Sequence, residues 1–121
     1  MKKHILIVDD ERDISDLLAQ FLSQSGYDVK TVTSAMEAEQ AVVQQRPDLI
    51  ISDLQLEDSD GLEMIDRIKR TLPDTPVLLL TGVFFDPVVV RDTLSKKVSA
   101  YVQKTAPLGQ ILAQVMKLLG P

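Results

Sequence analysis

Five short strand-like segments alternating with five amphipathic helical ones constrain this chain more than any other feature of its sequence. The first, Ile5 to Val8, is apolar throughout and mostly β-branched, the pattern of a strand covered on both faces. Asp9 and Asp10 end it. A stripe of Ile14, Leu17, Leu18, Phe21 and Leu22 then predicts a helix, and Gly26 stands where a left-handed residue stops one. Asp28 to Thr33 reads as the second strand. Ser34 and Glu37 form a capping box for a helix reaching about Gln45, with Pro47 beyond its end. Leu49 to Ser52 is the third strand and ends at Asp53. Asp60 and Glu63 cap a helix carrying Leu62, Ile65, Ile68 and Leu72. Val77 to Leu80 is the fourth strand, and Asp86-Pro87 opens a helix running to about Ser95. Val98 to Val102 is the fifth strand. Pro107 opens the last helix, which turns Ile111, Leu112, Val115, Leu118 and Leu119 inward. Such alternation specifies an α/β, doubly wound parallel sheet with helices on both faces. Ligands on such sheets gather at the carboxyl ends of the strands.

Composition narrows the function classes. With 121 residues, the chain is expected to form a single domain over 1–121. Its net charge of −5 argues against direct binding to nucleic acid or to an anionic membrane. The absence of cysteine removes disulfides, thiolate metal sites and thiol nucleophiles. The opening residues are too short an apolar stretch for a signal sequence or a span, so a cytoplasmic location is expected.

The chemistry-bearing residues fall where strands end. Asp9 and Asp10 follow the first strand, Asp53 the third, Thr81 the fourth, and Lys104 lies just past the fifth. Taken singly, each has an ordinary reading: Asp10 as a helix cap, Asp53 as a solvated loop carboxylate, Thr81 as a turn residue, Lys104 as a surface lysine. Their convergence on one sheet edge does not. Two unit charges ~4 Å apart cost about 4 kcal/mol at an effective dielectric near roughly 20, so three clustered carboxylates call for a cation. Oxygen ligands with partial hydration suit Mg²⁺, or Mn²⁺ in its place. The lysine, the hydroxyl and the Gly82 backbone N–H can hold the oxygens of a phosphoryl group.

With these residues in place, the chain resembles the receiver domains of response regulators. Ile5-Leu6-Ile7-Val8-Asp9-Asp10-Glu11 is similar to that family's first strand and acidic pair. Ile50-Ile51-Ser52-Asp53-Leu54-Gln55-Leu56, with Gly61 eight residues after Asp53, resembles its phosphoacceptor segment. Thr81-Gly82 and Tyr101, three residues before Lys104, complete the ordered set, which spans essentially the whole chain. The resemblance implies a flavodoxin-like sheet of order 2-1-3-4-5 with five helices. It implies that Asp53 accepts a phosphoryl group from a histidine kinase, a histidine phosphotransfer protein or a small phosphodonor. Asp10, Asp53 and the Gln55 backbone carbonyl would ligate Mg²⁺, with Asp9 acting mostly through water. Lys104, Thr81 and the Gly82 N–H would bind the acyl phosphate. Thr81 and Tyr101 would then switch the face made by the fourth helix, the fifth strand and the fifth helix. That face would signal to a downstream output domain or protein, and it also allows a dimer. Such a domain is not an enzyme beyond its own phosphorylation and dephosphorylation.

Three departures from the family pattern stand out. Thr105 replaces the proline that usually follows the lysine, so the Lys104–Thr105 bond is expected to be trans, with the lysine held less firmly and paired only loosely with Asp53. Glu57 replaces a common proline, and Val83-Phe84-Phe85 is unusually apolar for a loop. The alternative function is a pseudo-receiver, a protein-interaction module that needs no phosphate. A flavodoxin-like FMN binder is disfavoured because Asp9-Asp10-Glu11 would repel the FMN phosphate. His4 reads as a solvated edge residue, Asp58-Ser59-Asp60-Gly61 as a helix cap, and Met36, Met64 and Met116 as core or half-buried filler.

Overall fold

The computed structural model of the chain describes residues 2–53, 56, 58, 61–81 and 98–120. Its elements are β1 (His4–Val8), α1 (Arg12–Gln24), β2 (Asp28–Val32), α2 (Ala35–Gln44), β3 (Leu49–Ser52), α3 (Gly61–Thr71), β4 (Val77–Thr81), β5 (Ala100–Gln103) and a C-terminal helix (Leu108–Leu119). The strands form one parallel sheet in the order β2-β1-β3-β4-β5, as the resemblance implies. The helix expected over 86–95 lies outside the described residues, as do Gln55, Glu57, Asp60, Gly82, Val83-Phe84-Phe85 and the Thr81 side chain.

The uniformly apolar strands divide their side chains between two cores, because successive residues of a strand point to opposite faces. Leu6, Val8, Ile50, Val77 and Leu79 pack with α2 and α3 through Ala38, Val42, Met64, Ile65 and Ile68. Ile5, Ile7, Leu49, Ile51, Leu78 and Leu80 pack with α1 and the C-terminal helix through Leu18, Leu22, Ile111 and Val115. Each fully buried side chain of this size contributes about 1.5–3 kcal/mol relative to exposure. Gly26, at φ 103°, adopts the left-handed conformation expected after α1. Its neighbour Tyr27 donates its backbone N–H back to the Leu22 carbonyl at 3.2 Å.

The structure corrects several readings. In α1, Leu17 faces solvent and Ser15 is buried in its place. Ser15 is tolerated there because its hydroxyl donates to the Arg12 carbonyl at 3.3 Å. Met64 is core, but Met36 and Met116 are exposed. His4 is buried rather than solvated: the β1–β2 register sets it opposite Asp28, and its Nδ1 lies 3.2 Å from Asp28 Oδ2. The fifth strand begins at Ala100, not Val98. Val98 is buried ahead of the ladder, so its apolar character reports packing rather than pairing.

The N-terminus of α2 shows a connection that the sequence pattern does not reveal. Ser34 caps the helix as expected, accepting from the Glu37 N–H at 3.1 Å. Asp58, in the segment between β3 and α3, provides a second cap. Its carboxylate accepts from the backbone N–H groups of Ala35 at 2.9 Å and Met36 at 3.2 Å. These two hydrogen bonds lower the Asp58 pKa below the ordinary aspartate value. A depressed folded-state pKa gives stability that is present above the unfolded value and lost as pH falls through the folded one. Asp58→Asn is therefore expected to be less stable than the parent by an amount that is constant above about pH 5 and shrinks below about pH 4. Urea denaturation of both proteins across that range checks this.

Candidate functional site

Hydrogen bonding just beyond the strand ends places two carboxylates side by side. Asp53 follows β3, and its backbone N–H donates to the Val8 carbonyl at 2.9 Å. Asp9 follows β1, and its backbone N–H donates to the Val32 carbonyl at 3.1 Å. Both aspartates are buried, while Asp10 is exposed. Asp10 does not cap α1. Glu11 occupies the cap position and makes no side-chain capping bond, while its backbone N–H donates to Asp9 Oδ1 at 2.9 Å. Asp9, Asp10, Glu11 and Asp53 each offer a carboxylate oxygen, all within 4.8 Å of one another.

Lys104 comes from the far side of the site. Its backbone directly follows β5, whose register aligns Thr81 with Gln103. Its ammonium lies 2.9 Å from Asp53 Oδ2, 2.6 Å from Glu11 Oε1 and 3.2 Å from Asp9 Oδ1. Only 7% of the side chain is exposed. The described residues contain no cis peptide, so the Lys104–Thr105 bond is trans as expected. The expected loose pairing is not found. Three carboxylates hold the ammonium, and their combined negative charge fixes it without a following proline. Glu11 is the partner that sequence reasoning missed. The acidic run Asp9-Asp10-Glu11 carried the signal, but nothing local shows that the third acid meets a lysine 93 residues away.

Charge in the cluster is unevenly satisfied. Burial pushes the Asp9 carboxyl above its ordinary value, against the Glu11 N–H and the Lys104 ammonium, and the Asp53 charge pushes the same way. Burial would lower the Lys104 pKa. The hydrogen bonds to Glu11 and Asp53, with the charges of Asp9 and Asp53, hold it well above the usual lysine range instead. Burial thus raises Asp9, and the surrounding acids raise Lys104. Asp9 Oδ2 is buried and accepts no hydrogen bond among the described residues; Lys104 Nζ lies 3.2 Å away, outside bonding geometry for that oxygen. A buried carboxylate oxygen without a donor, within reach of three other acids, fits a small hard cation.

Of the residues expected at the site, the structure brings Asp9, Asp10, Asp53 and Lys104 together and adds Glu11. Thr81 ends β4 at the same edge. Tyr101 lies on β5 and is 41% exposed.

An unsatisfied, desolvated Asp9 costs stability when it is charged. A group with a raised folded-state pKa contributes stability below its unfolded value and loses it as pH rises. Asp9→Asn is expected to stabilise the metal-free chain at about pH 7 by about 1–3 kcal/mol, with the gain shrinking toward about pH 4. Denaturation midpoints at the two pH values check this.

Comparisons with known proteins agree with this geometry. Residues 5–116 match the response regulator receiver domain family. The chain is 33% identical over 122 aligned positions to the response regulator MprA of Mycobacterium leprae, covering 95% of this chain and 50% of that protein. It is 45% identical over 84 residues to the nitrogen assimilation regulatory protein NtrX of Azorhizobium caulinodans, covering 68% of this chain and 18% of that protein. The chain thus spans half or less of the length of these curated relatives. Among solved structures, the receiver domain of NtrX from Brucella abortus superposes with a TM-score of 0.86 at 30% identity, covering 95% of this chain and 97% of that one. A CheY-like receiver domain protein from Methanospirillum hungatei gives 0.89 at 26% identity, covering 98% and 94%. Sheet order, clustered strand-end acids and sequence relationship converge, and the chain belongs to the response regulator receiver domain family.

Proposed function

We propose that this chain is a phosphorylatable switch in which Asp53 accepts the phosphoryl group from a phosphohistidine on a partner protein or from a small phosphodonor. The observation that carries this reading is the Lys104 ammonium 2.9 Å from Asp53 Oδ2, inside a cluster of strand-end carboxylates. Asp53 is buried at the carboxyl end of β3, and its carboxylate is the proposed nucleophile, attacking phosphorus in line with the leaving group. A new P–O bond forms to Asp53 as the P–N or P–O bond of the donor breaks, and the leaving group departs with the electron pair. Catalysis of such a transfer is mainly positioning and electrostatics. Lys104 holds a developing phosphoryl oxygen, and Thr81 with the Gly82 N–H is proposed to hold another.

Asp10, Asp53 and the Gln55 carbonyl are the proposed direct ligands of Mg²⁺ (or Mn²⁺), with Asp9 acting mostly through water. When bound, the cation neutralises charge on the phosphoryl oxygens. The orphaned Asp9 Oδ2 and the four converging acids support this assignment. The added charge on Asp53 would draw Thr81 toward it, and Tyr101, exposed in this structure, would turn inward. That movement would alter the face presented by β5 and the C-terminal helix. The proposed partners are a histidine kinase or phosphotransfer protein upstream and an output domain or protein downstream, in the cytoplasm. No described helix is long and apolar enough to cross a membrane.

Asp53→Asn is expected to abolish hydroxylamine-labile labelling by acetyl phosphate, and stoichiometric label on that variant would sink the assignment. Asp10→Ala should lose the Mg²⁺ response in an NMR titration and phosphorylate at least about tenfold more slowly. Unchanged metal affinity would place the ligands elsewhere.

A further inference from the structure

The Lys104 ammonium has three N–H donors, and all three are engaged by Glu11, Asp53 and Asp9. The shortest of the three contacts, 2.6 Å, is made by the most exposed partner, since the Glu11 side chain is 57% exposed against 10% and 2% for Asp53 and Asp9. Glu11 is not there by chance rotation of a free loop. Its backbone is the cap residue of α1, fixed by its N–H donation to Asp9 Oδ1 at 2.9 Å. One aspartate oxygen therefore holds both the backbone of Glu11 and the lysine that Glu11 grips.

A phosphoryl group on Asp53 brings three more acceptor oxygens and additional negative charge. One donor can pass from the Asp53 carboxylate to the phosphoryl group it carries, but a second contact to that group requires Lys104 to release Asp9 or Glu11. Release of Asp9 would leave a buried charge without its cation, which is costly. Release of Glu11 exposes a carboxylate that water already reaches, and the cost is small. We propose that Glu11 is a positioning residue for Lys104, holding its ammonium at the rim in the phosphate-free chain and surrendering it to the phosphoryl group on Asp53. The proposal rests on the phosphoacceptor reading of Asp53 and adds to it the residue that sets how readily Lys104 is available. Glu11 thus acts in two opposed directions: its charge helps draw a cation to the cluster, and its grip slows delivery of the lysine.

Glu11→Gln, of nearly equal length but uncharged, separates this role from a merely structural one. Mg²⁺ affinity, read from NMR shifts of the rim amides, is expected to weaken about threefold to tenfold as one partly screened charge is lost. The initial rate of phosphorylation by acetyl phosphate at saturating Mg²⁺ is expected to rise about twofold to tenfold, because Lys104 is released and the anionic donor meets less repulsion. Glu11→Asp keeps the charge but shortens the reach. It should bind Mg²⁺ within about twofold of the parent and still phosphorylate faster. If Glu11→Gln slows phosphorylation, or leaves the rate unchanged, the proposal is overturned. The parent chain is the control. If it takes no label on Asp53, the phosphoacceptor reading falls and this inference with it; if it is labelled and the variants fail to accelerate, only the role of Glu11 falls.

Discussion

The site depends on the position of β1, which is hydrogen-bonded to β2 on one side and β3 on the other. Parallel pairing fixes Val8 level with Val32 and with Ser52, so the next residues of β1 and β3, Asp9 and Asp53, leave the sheet together. Their backbone N–H groups continue the ladder into Val32 and Val8. The sheet positions both backbones before any side chain of the site takes part. The sheet presents them side by side and the local chemistry must accommodate that. The apolar side chains that stabilise β1 from both faces also enforce the crowding of charge at its end.

Crowded acids explain why the rim is built from residues with unequal surroundings. Asp10 and Glu11 remain in contact with water, whereas Asp9 and Asp53 are buried. Lys104 offsets part of the repulsion by bridging three of the four. One monovalent cation cannot satisfy four carboxylates; Asp9 Oδ2 is left with no donor among the described residues, and burial raises the pKa of that carboxyl. The chain retains at its functional edge an arrangement that a core selected for stability alone would replace with paired or apolar groups.

Strand identity and sheet direction were legible in the sequence because runs such as Ile5–Val8 and Leu49–Ser52 are apolar on both faces and lie between amphipathic segments. Asp9, Asp10, Asp53 and Lys104 were legible for a related reason: each sits where such a run stops. What escaped was set by register rather than by pattern. His4 is buried because Asp28 lies opposite it in the ladder, a relation that periodicity within either strand does not contain. Val98 looked like the start of β5, but burial and pairing part company there, and the ladder begins two residues later. The firm hold on Lys104 was misjudged for the same reason. The absence of a proline is visible locally, while the three acids that take over its role come from two other strand ends.

Asp58 ties α2 to the segment that follows β3. The amides of Ala35 and Met36 sit in the first turn of a helix, where N–H groups have no partner within the helix and would exchange freely with water. Here the Asp58 carboxylate engages both. Their protons can exchange with solvent only while Asp58 is withdrawn, so hydrogen exchange at these two amides measures opening of the chain five residues beyond Asp53. The first turn of α2 is thereby a native reporter for the segment following Asp53, readable without a label, a probe or a change of sequence.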